Sequence, residues 1–173
     1  EAHWDWSVRY PVIRISFAAG RVQSRVELEQ RIWDTLRQNQ EALGVTCPPG
    51  LDIPGCFGEL IRRAERQHGQ RAVVLIDEYD KPILDNLGDK AVAAAMREGL
   101  RNLYSVLKDQ DAHLRFVFLT GVSKFSKVSI FSGLNNLRDI TLSPEYSAIC
   151  GYTDEDIDTV FAPELDGLDR DEI

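Results

Sequence analysis

The chain has 173 residues, of which 43% are hydrophobic, and its 28 acidic and 20 basic residues give a formal net charge of −8. A chain of this length can bury about 70% of its unfolded surface, so we predict a single globular domain over residues 1–173. The acidic balance argues against a broad surface for nucleic acid or anionic lipid, and we expect neither direct nucleic-acid binding nor a membrane partner. No apolar run has membrane-spanning length and no leader pattern is present, which predicts a cytoplasmic protein. The chain starts at Glu1 without an initiator Met, and we expect it to be the central part of a longer protein.

Strand-like and helix-like segments alternate along the chain. The strand candidates are rich in β-branched and aromatic residues and lie at residues 10–17, 72–77, 114–120 and 139–143. Between them, apolar residues recur at helical spacing. This alternation predicts an α/β fold with a parallel sheet and helices on both faces, in which ligands bind at the carboxyl ends of the strands.

The helical segments carry start and stop signals. Ser24-Arg-Val-Glu27 has the form of a capping box, and Gly44 ends the first helix. The apolar stripe of this helix is expected to contain Val26, Leu28, Ile32, Trp33, Leu36 and Leu43. Further helices are predicted around residues 57–64 and over residues 90–108. Thr153 can cap a last helix that runs through Val160, since acidic residues fill its first turn.

Two adjacent acids, Asp77 and Glu78, follow a run of five apolar residues. A buried parallel strand that ends in this way delivers carboxylates to a phosphate-bound magnesium ion. Because successive strand residues point to opposite faces, we predict that Asp77 binds the metal and that Glu78 is catalytic and orients the attacking water. The structural alternative is a core strand that runs into a helix, with Asp80 as N-cap and Pro82 in the first turn. For Asp80 we favour that interpretation.

A second cluster of polar residues follows the strand predicted at residues 114–120. Thr120, Ser123 and Lys124 are the candidate nucleotide-binding residues, because a hydroxyl of Thr120 or Ser123 can sense a γ-phosphate through a neutral hydrogen bond. In the alternative interpretation, the hydroxyls cap the turn while Lys124 and Lys127 are solvated.

The chain has three cysteines, Cys47, Cys56 and Cys150. An odd number in a chain otherwise typical of an intracellular α/β protein favours free thiols. A zinc site at Cys47 and Cys56, which bracket a Pro/Gly loop, would need two further ligands, and the chain has only three histidines. We therefore expect no metal at these cysteines.

Four motifs occur in this order: YPVIRISF, VVLIDEYDKPI, FVFLTGVSKFSKVSIFSGLNNL and ITLSPEYSAICGYTDEDI. Together they resemble the predicted AAA-ATPase-like family of bacterial and archaeal proteins, from about residue 4 to residue 161. The resemblance implies a P-loop ATPase of the additional-strand class, often followed by a restriction-endonuclease-like nuclease domain. It places Asp77 and Glu78 on the Walker B acids and Thr120 at the sensor position. Mg²⁺ and ATP are the implied cofactors of the complete parent protein, a hydrolase.

The chain contains no Gly-x-x-x-x-Gly-Lys-[Ser/Thr] loop. The resemblance implies that it starts after the P-loop strand, so that the core is incomplete. Without a cradle of backbone N–H groups, we expect the isolated chain neither to bind ATP tightly nor to hydrolyse it. A missing strand would also open a hydrophobic sheet edge at residues 114–120. We expect that edge to be filled by the strand at residues 139–143 or paired with a second copy of the chain in a homo-oligomer.

Two other functions stay open. A nucleotide-free interaction or regulatory module would keep the fold without the activity. A metal-dependent nuclease would use acids near a lysine, but the usual acid-x-Lys spacing before Lys81 needs an acid where Tyr79 stands. The net charge is also unfavourable for DNA, so the nuclease is the weaker alternative.

Overall fold

The computed structural model describes residues 5, 7–122, 130–131, 134, 136–149 and 151–165. The chain divides into two compact units, Glu1–Asn136 and Leu137–Ile173. The first unit contains every strand of the described residues, and the second contains a 3₁₀ turn and one short helix. That the two units fold as the single expected domain stays a prediction.

The first unit alternates strands with helices, as the sequence predicts. Its elements in chain order are β1 (Val12–Ser16), α1 (Arg25–Leu43), α2 (Ile53–His68), β2 (Ala72–Asp77), α3 (Lys81–Leu84), α4 (Lys90–Asp109), a 3₁₀ turn at Asp111–His113 and β3 (Leu114–Leu119). The three strands expected in this part of the chain are confirmed. The three long helices are confirmed as well.

The strands form one parallel sheet in the order β1-β2-β3, so β2 lies at the centre. The register aligns Ser16 of β1 with Asp77 of β2, and Ile76 of β2 with Leu119 of β3. Because parallel neighbours run in one direction, the carboxyl ends of all three strands meet at one edge of the sheet. The predicted α/β fold with a parallel sheet is confirmed, and this edge is where ligands bind in such folds.

One face of the sheet forms the core of the first unit. Ile13, Ile15, Val74 and Ile76 on that face are at most 1% exposed. α1 contacts β1, α2 contacts β2, and α4 packs against both helices. On the opposite face, Phe116 is 53% exposed. Its register partner on β2, Val73, is 8% exposed, so this face is more open at the outer strand than at the centre of the sheet.

The two outer strands present different edges. The side-chain amide of Asn39 in α1 covers the outer edge of β1, because its Oδ1 accepts the Arg14 N–H at 2.8 Å and its Nδ2 donates to the Arg14 carbonyl at 2.8 Å. This pair of bonds is the one that a further strand would make. β3 carries two stacked aromatic rings, Phe116 and Phe118, with centroids 6.1 Å apart. The hydrophobic strand expected at this edge is therefore present.

α1 begins and ends where its sequence signals indicate. The Ser24 hydroxyl accepts the Glu27 N–H at 3.2 Å, and Gly44 ends the helix in the left-handed conformation at φ 64°. Leu28 is fully buried, but Val26, expected in the same apolar stripe, is 72% exposed. Two residues correspond to a rotation of about 200° around a helix, so Val26 points to solvent when Leu28 points to the sheet.

Residues 139–143 do not form the fourth strand that the sequence predicted. Residues 141–142 form a turn, in which the Asp139 carboxylate accepts the Thr141 N–H at 3.0 Å and the Ser143 N–H donates to the Ile140 carbonyl at 3.0 Å. The 3₁₀ turn Pro144–Tyr146 follows. These local bonds and the proline outweigh the β propensity of the segment. The expectation that this segment fills the sheet edge as a strand is wrong, whereas a dimer across that edge stays a prediction.

The second unit contains α5 (Asp154–Thr159). Thr153 caps this helix as predicted, because the Thr153 hydroxyl accepts the Asp156 N–H at 3.1 Å. The Asp156 carboxylate also accepts the Thr153 N–H at 2.8 Å, which completes a capping box. No helix in the described part of the chain is long and apolar enough to cross a membrane.

The contrast between Leu28 and Val26 gives a test of the helix orientation. Leu28→Ala removes a fully buried side chain and should lower the free energy of unfolding by about 3 kcal/mol. Val26→Ala, on the exposed side of the same helix, should change it by about 0.5 kcal/mol or less. Urea denaturation of the two variants measures both values, and equal effects would contradict the orientation of α1.

Candidate functional site

The carboxyl ends of the three strands bring Ser16, Asp77 and Thr120 together. The Thr120 hydroxyl donates to Asp77 Oδ1 at 2.6 Å, and the Ser16 hydroxyl donates to Asp77 Oδ2 at 3.3 Å. Thr120 follows β3 directly and lies 43 positions after Asp77 in the chain. Two of the predicted site residues, Asp77 and Thr120, therefore touch at the edge of the sheet where the fold class expects a ligand.

Backbone hydrogen bonds continue past the last strand residues and hold this edge in place. The Thr120 N–H donates to the Ile76 carbonyl at 2.8 Å, and the Tyr79 N–H donates to the Thr120 carbonyl at 3.0 Å. On the other side, the Phe17 N–H donates to the Asp77 carbonyl at 3.1 Å. Asp77 is thus fixed between both neighbouring strands, while its side chain stays exposed.

Glu78 has a backbone conformation that is rare for a residue with a side chain. Its φ of 51° lies in the left-handed region, which costs a residue other than glycine about 1 kcal/mol. The turn that imposes this conformation is closed by the Lys81 N–H, which donates to the Glu78 carbonyl at 3.1 Å. The Glu78 side chain is half-buried and makes no hydrogen bond or ion pair with the described residues. Strain of this kind is typical of functional sites.

The phenol of Tyr104 in α4 supports this turn from inside the core. It is fully buried and donates to the Tyr79 carbonyl at 3.0 Å. Burial, together with the Asp80 charge, holds the pKa of Tyr104 well above its usual value. The phenol therefore keeps its proton and remains a donor. The Phe131 ring packs against Tyr79, with centroids 5.0 Å apart.

Asp80 occupies the N-cap position that the sequence predicts, but its side chain does not cap α3. The carboxylate is fully buried and accepts the Val122 N–H, which lies just after β3, at 3.4 Å. The interpretation of Asp80 as a helix cap is therefore corrected. Its carboxylate instead joins the turn after β2 to the turn after β3.

Gly121 is where these two turns come closest. A Cβ atom at this position would lie 2.6 Å from Cε1 of the Tyr79 ring and 2.7 Å from Oδ1 of Asp80. Contacts this short are not tolerated between non-bonded atoms. A residue without a side chain is therefore required beside Thr120.

The loop between β1 and α1 also reaches this region, which sequence reasoning missed. Lys81 Nζ donates to the Gly20 carbonyl at 2.8 Å and pairs with Asp85 Oδ2 at 2.6 Å. The buried side chain of Asn86 donates to the Val22 carbonyl at 2.7 Å. Ser16 was missed as well. The sequence signal that could have identified Ser16 was a hydroxyl residue near the end of the strand predicted at residues 10–17.

Two of the predicted site residues cannot be placed, and the described residues contain no ready-made metal cluster. Ser123 and Lys124 lie outside the described residues. Within the described residues, no group of three His, Cys, Asp or Glu side chains could hold a metal ion, and Cys47 and Cys56 are free thiols. Asp77 is a single exposed carboxylate beside two hydroxyls. Mg²⁺ commonly takes one or two carboxylates together with substrate phosphates, so this all-oxygen set fits the ion.

The close approach at Gly121 gives a steric test of the site. Gly121→Ala should lower the free energy of unfolding by about 1–3 kcal/mol, because the new methyl group forces the Tyr79 ring and the Asp80 carboxylate apart. Gly88→Ala is the matched control, since a Cβ at Gly88 meets no atom within 4 Å. Thermal and urea unfolding compare the two variants. Equal stability of both would contradict the packing of Gly121.

Comparisons with known proteins agree with the resemblance of the motifs. A family model described as predicted AAA-ATPase matches residues 1–131. The "Uncharacterized protein in vnfD 5'region" of Azotobacter chroococcum mcd 1 is 60% identical over 170 residues, which cover 98% of this chain and 33% of that protein. The chain thus spans about a third of the length of this curated relative. No solved structure matches this chain. Because this family model matches most of its length, the chain belongs to the predicted AAA-ATPase family.

Proposed function

We propose that the chain carries the metal-binding and catalytic acids of an ATP-hydrolysing domain within a longer protein. The observation that carries this proposal is the 2.6 Å contact between Asp77 and Thr120 at the carboxyl edge of the parallel sheet. Two features of Glu78 add support, its unpartnered carboxylate within the described residues and its left-handed backbone. The family match is in line with this assignment.

In this proposal the residues of the sheet edge have separate roles. Asp77 would hold Mg²⁺, and the hydroxyls of Ser16 and Thr120 would orient its carboxylate. The bound ion would neutralise charge that develops on the phosphate oxygens. Glu78 would orient the attacking water and accept its proton. Thr120 can donate either to Asp77 or to a phosphate oxygen, which suits a residue that distinguishes ATP from its product.

Other parts of the proposal concern residues and partners beyond this edge. Ser123 and Lys124 are proposed contacts of the nucleotide, since they follow Thr120 closely in the chain. The parent protein would use hydrolysis to drive a conformational or assembly step. A homo-oligomer and a nuclease-like domain following this one are the proposed partners, and a cytoplasmic location is the proposed setting.

A nucleotide-free interaction or regulatory module is the second candidate. It is favoured by the fact that both Asp77 oxygens accept hydrogen bonds from hydroxyls of the protein itself. In that interpretation, Ser16, Asp77 and Thr120 form a polar junction that stabilises the strand ends.

Hydrolysis of magnesium-ATP by the longer natural protein tests the first candidate. Glu78→Gln removes the proton acceptor without changing the size of the side chain, so turnover should fall by about 10²–10⁴-fold while ATP binding is retained. Glu41→Gln is the matched control, since Glu41 is an exposed residue of α1 and its substitution should leave turnover unchanged. Steady-state phosphate release and equilibrium nucleotide binding measure the two effects. Wild-type turnover in Glu78→Gln would contradict the catalytic role.

The isolated chain should behave differently from the parent. We expect no tight ATP binding, because two acids without a nest of backbone N–H groups repel the phosphates. Isothermal titration calorimetry with magnesium-ATP measures this directly. Clear micromolar affinity would refute the expectation and would require a phosphate-binding site of another design.

A further inference from the structure

A pair of thiols lies in the connection between α1 and α2. Cys47 is half-buried in the loop, and Cys56 is buried in α2, within its first turns. Their Sγ atoms are 2.6 Å apart, and the Cys47 thiol also donates to the Cys56 carbonyl at 3.1 Å. Neither thiol bonds to a residue of the candidate ATP site. A disulfide bond is about 2.05 Å long, so the two sulfur atoms already lie close to bonding distance.

Side-chain and backbone bonds at both ends of the loop preorganise this pair. Gln40 in α1 reaches both residues, because its Oε1 accepts the Cys47 N–H at 2.5 Å and its Nε2 lies 3.7 Å from Cys56 Sγ. At the start of α2, the Asp52 carboxylate accepts the Gly55 N–H at 2.9 Å and so fixes the turn that carries Cys56. The geometry of the thiol pair is therefore set by the fold around it.

We propose that Cys47 and Cys56 form a dithiol modification site, which low-molecular-weight disulfides such as oxidised glutathione convert into an intramolecular disulfide. The site is independent of nucleotide chemistry. The disulfide would covalently link the loop that contains the exposed Pro48-Pro-Gly50 segment to the start of α2. A crosslink of this kind reduces the conformational freedom of the unfolded chain.

The hydrogen bonds assign the order of the two thiols. The Cys47 thiol donates to the Cys56 carbonyl, and the Cys56 thiol donates to Cys47 Sγ. Once Cys47 has lost its proton, the bond from Cys56 stabilises the negative charge on Cys47 Sγ. Burial raises the pKa of Cys56 to about 12. Burial also raises the pKa of Cys47, and the Glu59 charge adds to this, but the bond from Cys56 and the Arg63 charge act in the opposite direction. Cys47 is half-buried whereas Cys56 is 1% exposed, so an incoming disulfide reaches Cys47 first. Cys47 is therefore the attacking thiol, and Cys56 is the resolving thiol.

The reaction balances as two thiol–disulfide exchanges. Cys47 loses its proton to water and attacks one sulfur of oxidised glutathione. The glutathione S–S bond breaks, a mixed disulfide forms on Cys47, and one glutathione leaves and takes up a proton. Cys56 then loses its proton to water and attacks Cys47 Sγ, the mixed disulfide bond breaks, and the second glutathione leaves as a thiolate that takes up a proton. Two protein thiols are oxidised, and one small disulfide is reduced to two thiols.

Treatment of the folded chain with oxidised glutathione tests the proposal. The intact mass should decrease by two hydrogens, and maleimide labelling after denaturation should find one thiol instead of three. Asp52 is the only acidic residue between the two cysteines. Cleavage before Asp52 should therefore leave both fragments joined until a reductant is added. The melting temperature should rise by about 5 °C and return on reduction.

Single cysteine variants distinguish a disulfide between Cys47 and Cys56 from other products of the treatment. Cys47→Ser should lose the disulfide and stay free of glutathione at Cys56. Cys56→Ala should accumulate a stable mixed disulfide at Cys47, because the resolving thiol is gone. Cys150→Ser is the matched control and should oxidise like the wild type. A glutathione adduct that persists in the wild type, a bridge that involves Cys150, or three free thiols after treatment would each overturn the proposal.

Discussion

Two backbone hydrogen bonds at the ends of β2 and β3 set the geometry on which the candidate site depends. The Thr120 N–H bonds to the Ile76 carbonyl, and the Thr120 carbonyl accepts the Tyr79 N–H. Together they extend the parallel ladder by one residue beyond β3. Asp77 and Thr120 are therefore held in contact by the main chain, which is stiffer than a pair of long side chains on a surface would be.

The turn after β2 combines several constraints in a small volume. Glu78 has a left-handed backbone, Gly121 approaches within a contact distance that excludes a side chain, and Asp80 is buried without capping its helix. Each feature alone is unfavourable or unusual. They persist because the surrounding core, including the buried Tyr104 phenol, determines the path of the chain. Strain that the surrounding structure holds in place is found mostly at functional sites.

The thiol pair and the candidate ATP site rest on different parts of the unit. The ATP site is built from the ends of strands, whereas Cys47 and Cys56 lie in and beside the loop that joins α1 to α2. At both sites, the reactive side chains are held in position by neighbouring residues that the fold has already ordered. Gln40 orders the thiols as the Thr120 backbone orders Asp77.

Local signals in the sequence were sufficient for the helices and the three strands. Ser24, Gly44 and Thr153 act on their own turns of the chain, so their effects can be read without knowledge of the fold. The same reasoning failed at Val26, because the angular position of one residue depends on which side of the helix the sheet covers. It failed at residues 139–143, where a turn with an Asp139 side-chain bond competes with strand propensity.

The sequence by itself determined that a hydrophobic strand delivers Asp77 and Glu78 to its carboxyl end and that Thr120 ends another strand. It did not determine that Ser16 joins them, that Asp80 bonds to Val122, or that Gly121 must lack a side chain. Those relations depend on strand register and on the distance between two turns, which pair residues far apart in the chain. Only the packed sheet decides them, because hydrogen bonds and close contacts act over a few ångströms in space whatever the separation in sequence.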